Sequence, residues 1–78
     1  MPSIALNLYS TSHCHLCDLA ISLVNVTLPN SKLTIIEIAN DDNLLLRYGV
    51  LIPVLQREDN GKEINWPFTA NEVLQLAT

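Results

Sequence analysis

The chain has 78 residues and two cysteines, and the segment Cys14-His15-Leu16-Cys17 sets those two three residues apart. Thiols so spaced can exchange with a disulfide, bind a metal, or form a local staple. A disulfide needs Cα atoms about 4.4–6.8 Å apart, which residues three apart in a first helical turn satisfy with little backbone movement. The reacting species is the thiolate. A helix start stabilises it, because backbone N–H groups there lack intrahelical partners and carry partial positive charge. With Cys14 at the N-cap, the amides of Leu16 and Cys17 point at its sulfur, while Cys17 lies a turn inside and is shielded. Cys14 is then the attacking thiol and Cys17 the resolving one.

The other two chemistries fit the spacing less well. In the chain-entropy picture a four-residue loop closed by a disulfide gives only about 2 kcal/mol, against about 3 for fifteen residues, and it ties no distant elements together. The run His13-Cys14-His15-Leu16-Cys17 packs four metal-ligand types into five residues. Tetrahedral zinc draws on two separated pairs, and five consecutive residues do not easily surround one ion. The rival reading is therefore a binding module without redox turnover, carrying a metal or an iron–sulfur cluster shared in a dimer. His15 has two readings: an imidazolium that favours the Cys14 thiolate, or an exposed helix-start residue with little effect. Asp18 suits the positive helix start as a dipole partner, with proton transfer as its other role.

The elements that must position the pair follow from periodicity. Ile4-Ala5-Leu6-Asn7-Leu8-Tyr9 alternates like a strand, and Leu16, Leu19, Ala20, Leu23 and Val24 recur at helical spacing, so the cysteines sit at a strand-to-helix junction. Thr11 and Ser12 in the intervening polar loop are cap candidates. The helix is expected to reach about Val26, before Thr27-Leu28-Pro29-Asn30-Ser31. Leu33-Thr34-Ile35-Ile36-Glu37-Ile38 is rich in β-branched residues and predicts a second strand, joined to the first by a right-handed parallel crossover. Asn40-Asp41-Asp42-Asn43 offers several N-cap candidates for a short helix through Leu44, Leu45 and Tyr48, with Gly49 past its end, and Asp41 or Asp42 also suits the positive helix start. Val50-Leu51-Ile52-Pro53-Val54-Leu55-Gln56 reads as a third strand with a proline at its entrance. Asp59-Asn60-Gly61 signals a hairpin into Lys62-Glu63-Ile64-Asn65. Thr69 and Glu72 form a capping box for a closing helix with Val73, Leu74, Leu76 and Ala77. Trp66 and Phe68 read most simply as core and turn residues, with an aromatic wall for a substrate as their other reading.

Composition narrows the partners. Charged residues are 15% of the chain, the net charge is −4, and the four basic residues are scattered. Nucleic acid and anionic membranes both require clustered Lys and Arg, so neither is expected. No apolar run approaches the roughly 18 residues of a membrane span. Met1-Pro2-Ser3-Ile4 has no basic n-region, so no signal peptide is expected. The expected setting is the cytoplasm, where paired cysteines are redox-active or metal-binding more often than structural. The length corresponds to one small domain.

The order βαβ, short helix, ββ, helix, with Cys-x-x-Cys after the first strand, resembles the thioredoxin fold in its smallest, glutaredoxin form. Leu8-Tyr9-Ser10, Cys14-His15-Leu16-Cys17-Asp18, Arg47-Tyr48-Gly49-Val50, Ile52-Pro53-Val54-Leu55, and Gly61-Lys62-Glu63 with Trp66-Pro67-Phe68 resemble the short bacterial glutaredoxin-like family with a Cys-His-Leu-Cys motif. That resemblance implies an α/β domain across the whole chain, with a four-stranded mixed sheet and three helices. It also implies that Cys14 attacks, Cys17 resolves, and a cis-proline turn at Ile52 and Pro53 faces them. Relatives that use glutathione carry a basic residue before the motif, a Thr-Val-Pro loop, and a Gly-Gly pair with an acid at the last helix. The matching positions here read Ser12-His13, Leu51-Ile52-Pro53 and Phe68-Thr69-Ala70-Asn71. Amides near Thr69 are the place left where a carboxylate could bind. The expectation is a monomeric thiol–disulfide oxidoreductase that requires no cofactor. Its substrate would be a protein or small-molecule disulfide, and its reductant a reductase or glutathione, the latter set against by the missing residues.

Overall fold

A computed structural model describes residues 4–78, so the amino-terminal segment Met1-Pro2-Ser3 lies outside the described residues. The described chain runs β1 (Ala5–Ser10), α1 (His15–Thr27), β2 (Lys32–Glu37), α2 (Asp42–Tyr48), β3 (Val54–Arg57), β4 (Glu63–Asn65) and α3 (Ala70–Leu76). The strands form one mixed sheet in the order β2-β1-β3-β4. β2 runs parallel to β1, with Ala5 opposite Lys32 and Ser10 opposite Glu37, as a strand–helix–strand crossover requires. β3 is antiparallel to both β1 and β4.

Alternation along the strands separates two cores. Leu6, Leu8 and Leu55 point to one face, where Ala20 and Val24 of α1 and Val73 and Leu76 of α3 cover them together with Phe68. On the other face Tyr9 and Val54 pack with Ile38 and with Tyr48 of α2. The rings of Tyr9 and Tyr48 stack, with centroids 4.2 Å apart. The Tyr9 hydroxyl donates to Gln56 at 2.8 Å, the Gln56 amide donates to Glu63 at 3.0 Å, and the Tyr48 hydroxyl also donates to Glu63. This second face is thus part apolar and part a bonded polar network.

Each helix start has an identified cap. Asp41 caps α2, its carboxylate accepting from the amides of Asn43 and Leu44 at 2.9 and 3.1 Å. Thr69 and Glu72 make the reciprocal capping box at α3. In the hairpin, Gly61 takes φ of 73°, a left-handed conformation that glycine adopts without steric cost. Arg57 bonds the last carbonyls of α3 through that of Leu76 at 2.9 Å and pairs with Asp59 at 2.7 Å.

Three local readings are corrected. The third strand begins at Val54, not Val50, because the amides of Leu51 and Ile52 turn back to the Tyr48 carbonyl at 2.8 and 3.2 Å, and Pro53 has no N–H to add to a ladder. The apolar stripe of α1 that faces the core is Cys17, Ala20 and Val24, whereas Leu16 and Leu19 are 46% and 44% exposed. The first cysteine's successor at i+3 therefore belongs to the core face. In α3, Val73 and Leu76 are buried but Leu74 is exposed.

Candidate active site

The chain direction in each strand determines what collects at one end of the sheet. β1, β2 and β4 all finish there and β3 starts there, so the loops after β1 and β2, the Pro53 turn and the approach to α3 lie together. This is the sheet end, outside the carboxyl ends of parallel strands, where open α/β sheets carry their sites. Cys14, His15, Cys17, Ile52, Pro53 and Thr69 all belong to its loops and helix starts.

Cys14 is the N-cap of α1, with φ of −94° and ψ of 100°, so it stands outside the helix while its carbonyl accepts from the Asp18 amide at 3.2 Å. Neither Thr11 nor Ser12 takes that position. The Cys17 amide donates to the Cys14 sulfur at 3.2 Å; the second donor expected from the Leu16 amide is not among the bonds formed. The two cysteines are joined as a disulfide, with Cα atoms 5.2 Å apart. A thiolate at this cap would receive a charge-assisted hydrogen bond from the same amide, and hydrogen bonds to charged groups are the stronger kind.

Burial separates the two sulfurs. Cys17 is 1% exposed, being the first member of the core stripe of α1, while Cys14 is half-buried at the edge. Of the two cysteines, only Cys14 is open to solvent to any extent. His15 opens the helix with its side chain exposed, and Asp18 in the first turn is exposed as well.

The loop before the cap carries information that sequence reasoning missed. His13 has φ of 61°, a left-handed conformation uncommon outside glycine but several-fold enriched for histidine, asparagine and aspartate. Ser12 gives both its amide and its hydroxyl to one carboxylate oxygen of Glu37, each at 3.1 Å, while the other oxygen accepts from the Ala39 amide at 3.2 Å. The Ala39 amide foremost, with Thr11 and Ser12 after it, holds the Glu37 carboxyl below the usual carboxylate range. The available signal was positional: a charged residue ending the second strand of a βαβ unit lies beside the loop that follows the first.

The Ile52–Pro53 and Trp66–Pro67 peptide bonds are both cis. Pro53 is buried, and its carbonyl accepts from the Trp66 amide at 3.0 Å, which ties the two proline turns together. One step beyond the last β1–β3 pair, Tyr9 with Val54, the ladder brings Ser10 and Pro53 to the same edge. Ile52 is half-buried against the Tyr9 and Tyr48 cluster. At α3 the Thr69 amide donates to the Glu72 side chain at 3.0 Å and the Thr69 hydroxyl accepts from the Glu72 amide at 3.2 Å. Among the described residues no three His, Cys, Asp or Glu side chains converge where one metal ion could sit.

The family model of the Glutaredoxin-like domain (DUF836) matches residues 5–76. The chain belongs to this glutaredoxin-like family. Among solved structures it is similar to the X-ray structure of target protein XcR50 from X. campestris, with 35% identity over 85% of each chain and a TM-score of 0.75. It is also similar to the solution NMR structure of protein Ne2328 from Nitrosomonas europaea, with 27% identity, a TM-score of 0.80, and coverage of 96% of this chain and 91% of that one. No curated protein matches. As a glutaredoxin-like domain, the chain is a small α/β thioredoxin-superfamily protein whose two cysteines stand at disulfide distance. Among the described residues no helix is long and apolar enough to cross a membrane.

Proposed function

We propose that this glutaredoxin-like protein is a thiol–disulfide oxidoreductase that reduces disulfides through Cys14 and Cys17. The observation that carries the reading is the asymmetry of the pair: Cys14 caps α1 with the Cys17 amide on its sulfur, and Cys17 is sealed in the core. In the reduced protein the Cys14 thiolate attacks one sulfur of the substrate disulfide. A Cys14–substrate disulfide forms, and the other substrate sulfur leaves as a thiolate that takes up a proton. Cys17 then loses its proton and attacks the Cys14 sulfur. The Cys14–Cys17 disulfide closes and the second substrate thiol departs. The substrate has gained two electrons and two protons, and a dithiol or thiol reductant returns them to the protein.

The substrates we propose are protein disulfides. Two donors at the start of α3 that a carboxylate ligand would need are taken: the Thr69 amide by the Glu72 side chain, and the Glu72 amide by Thr69. Leu16 and Leu51, at this end of the sheet, are exposed apolar side chains suited to a polypeptide. The Ile52–Pro53 turn supplies the opposing wall, His15 adds positive charge when protonated, and the reaction runs in the cytoplasm on a monomer without a resident cofactor.

The experiment is mass spectrometry of reduced Cys17→Ser and Cys14→Ser after exposure to cell extract and, separately, to oxidised glutathione. Cys17→Ser is expected to carry reductant-sensitive protein adducts, since nothing displaces the bound substrate, and Cys14→Ser none. Adducts on Cys14→Ser equal to those on Cys17→Ser would refute the assignment of roles. Glutathione as the sole adduct would reject protein substrates, and bound metal with no adduct would favour a metal-carrying module.

A further inference from the structure

Residues 11–13 deliver Cys14 to its cap, and no backbone–backbone hydrogen bond holds them. The last one before them is the Ile38 amide on the Ser10 carbonyl at 3.0 Å, and the next is the Asp18 amide on Cys14 itself. Within the gap His13 takes the left-handed conformation with φ of 61°, one that a non-glycine residue keeps only when its surroundings impose it. The side-chain bonds in the gap are the Ser10 hydroxyl on the Thr11 carbonyl at 3.4 Å and those of the Glu37 carboxylate, which accepts both the Ser12 amide and the Ser12 hydroxyl at 3.1 Å, next to His13. Glu37 is itself held. It is the last residue of β2, opposite Ser10, and its second oxygen takes the Ala39 amide at 3.2 Å. The carboxylate borders a shallow depression lined by Ser10, Thr11, Ser12 and Ile35. Its oxygens already accept from three groups, so it is a strut between two loops and not an open ligand site.

We propose that Glu37 is a positioning residue for Cys14: acting through Ser12, it fixes the loop so that the Cys14 sulfur stays on the Cys17 amide. This rests on the reading of Cys14 as the attacking thiol. Anchoring and charge make opposite demands on that thiol. A negative charge nearby disfavours a thiolate, so a carboxylate acting by charge alone would raise the Cys14 pKa and its removal would lower it. A carboxylate acting as an anchor lowers the pKa by preserving the amide contact, and its removal raises it. Glu37→Gln keeps an acceptor oxygen for Ser12 and drops the charge, so it separates the two.

The test is the pH dependence of Cys14 alkylation by iodoacetamide in Cys17→Ser, which keeps the residue 17 amide, combined with Glu37→Ala, Glu37→Gln and Ser12→Ala. The expected result for Glu37→Ala is a thiol pKa higher by about half a unit, or about a threefold loss of thiolate below both values. Glu37→Gln should stay near the parent, and Ser12→Ala should add nothing to Glu37→Ala. Equal downward shifts in the alanine and glutamine variants would overturn the proposal in favour of charge. An unchanged pKa with only a lower melting temperature would overturn it in favour of a purely structural bond. A parent thiol already at the unperturbed value of about 8.5 would overturn the attacking-thiol reading too, whereas a depressed parent value that Glu37→Ala leaves in place would overturn the Glu37 proposal alone.

Discussion

Two helices begin at the same end of the sheet and are finished in opposite ways. α3 closes its own start: Thr69 and Glu72 exchange side-chain and backbone bonds, so two orphan amides are satisfied by neighbours three residues apart. α1 has no such box. Its cap is Cys14, whose sulfur takes only the Cys17 amide and stays half-buried at the surface. Oxygen caps stabilise a helix by about 1 kcal/mol, and sulfur is a weak acceptor until it is ionised. One helix start is therefore built for stability, and the other holds in reserve a donor that acts fully only on a thiolate.

The largest effect that can be imposed on this contrast is at the reactive cap. Cys14→Ser should abolish disulfide exchange, measured as turnover of a model disulfide with excess reductant, while leaving the far-ultraviolet circular dichroism unchanged. Serine is a good N-cap, so α1 should be no less stable. A Cys14→Ser protein that still turned over would erase the distinction between the two helix starts.

Breaking the other cap should do the reverse. Thr69→Ala removes the hydroxyl that accepts the Glu72 amide and is expected to lower stability by about 1 kcal/mol in urea titration, with exchange rates intact. Loss of exchange at full stability would show that Thr69 belongs to the site and not to the frame.

How much of this was legible in the sequence follows from range. The Thr69–Glu72 capping box and the Cys-x-x-Cys spacing are written in residues within one turn of each other and were readable, whereas the Asp41 cap was one of four adjacent candidates, Asn40 to Asn43, among which the sequence did not choose. The β1–α1–β2 order was readable too, because alternation in Leu6 and Leu8 and the β-branched run at Ile35 and Ile36 carry it. The start of β3 was not. Val50 and Leu51 have strand-like side chains, but a short helix end captures the Leu51 and Ile52 amides, and side-chain pattern says nothing of where backbone amides go. Glu37 was missed for a related reason: its partners Ser12 and Ala39 straddle a crossover, and only the register of β1 against β2 brings them together. The Tyr9, Gln56, Glu63 and Tyr48 network likewise needs three strands and a helix before it exists.

The second face of the sheet offers a smaller test. Burial first, and Glu63 second, push the Tyr48 phenol above the ordinary tyrosine range. The folded state thus holds that proton more tightly than the unfolded chain. The stabilisation is complete below about pH 10, where the unfolded phenol titrates, and declines as pH rises toward the folded value. Tyr48→Phe should flatten the alkaline arm of a stability–pH profile and keep the ring stack on Tyr9. An alkaline arm identical in both proteins would place the cause elsewhere.

The smallest effect is expected in acid. The Ala39 amide lowers the Glu37 carboxyl and Arg57 lowers Asp59, so each contributes stability that is complete above the ordinary carboxylate range and is lost as pH falls below it through the folded values. Both side chains meet solvent, which keeps the contributions small. Glu37→Gln together with Asp59→Asn removes that contribution and should shift the acid midpoint of unfolding slightly upward, and an unshifted midpoint would remove both from the acid response.

The most direct measurement of the asymmetry between the cysteines is alkylation rate against pH on the two single-cysteine proteins, reduced and folded. With Cys17→Ser, the remaining Cys14 is expected to react fast and to titrate below about 8.5, the value of an unperturbed thiol. With Cys14→Ser, the remaining Cys17 is expected to react slowly at every pH at which the protein stays folded, because the core shields it. Equal rates with the same unshifted pKa in both proteins would contradict the division into attacking and resolving cysteines.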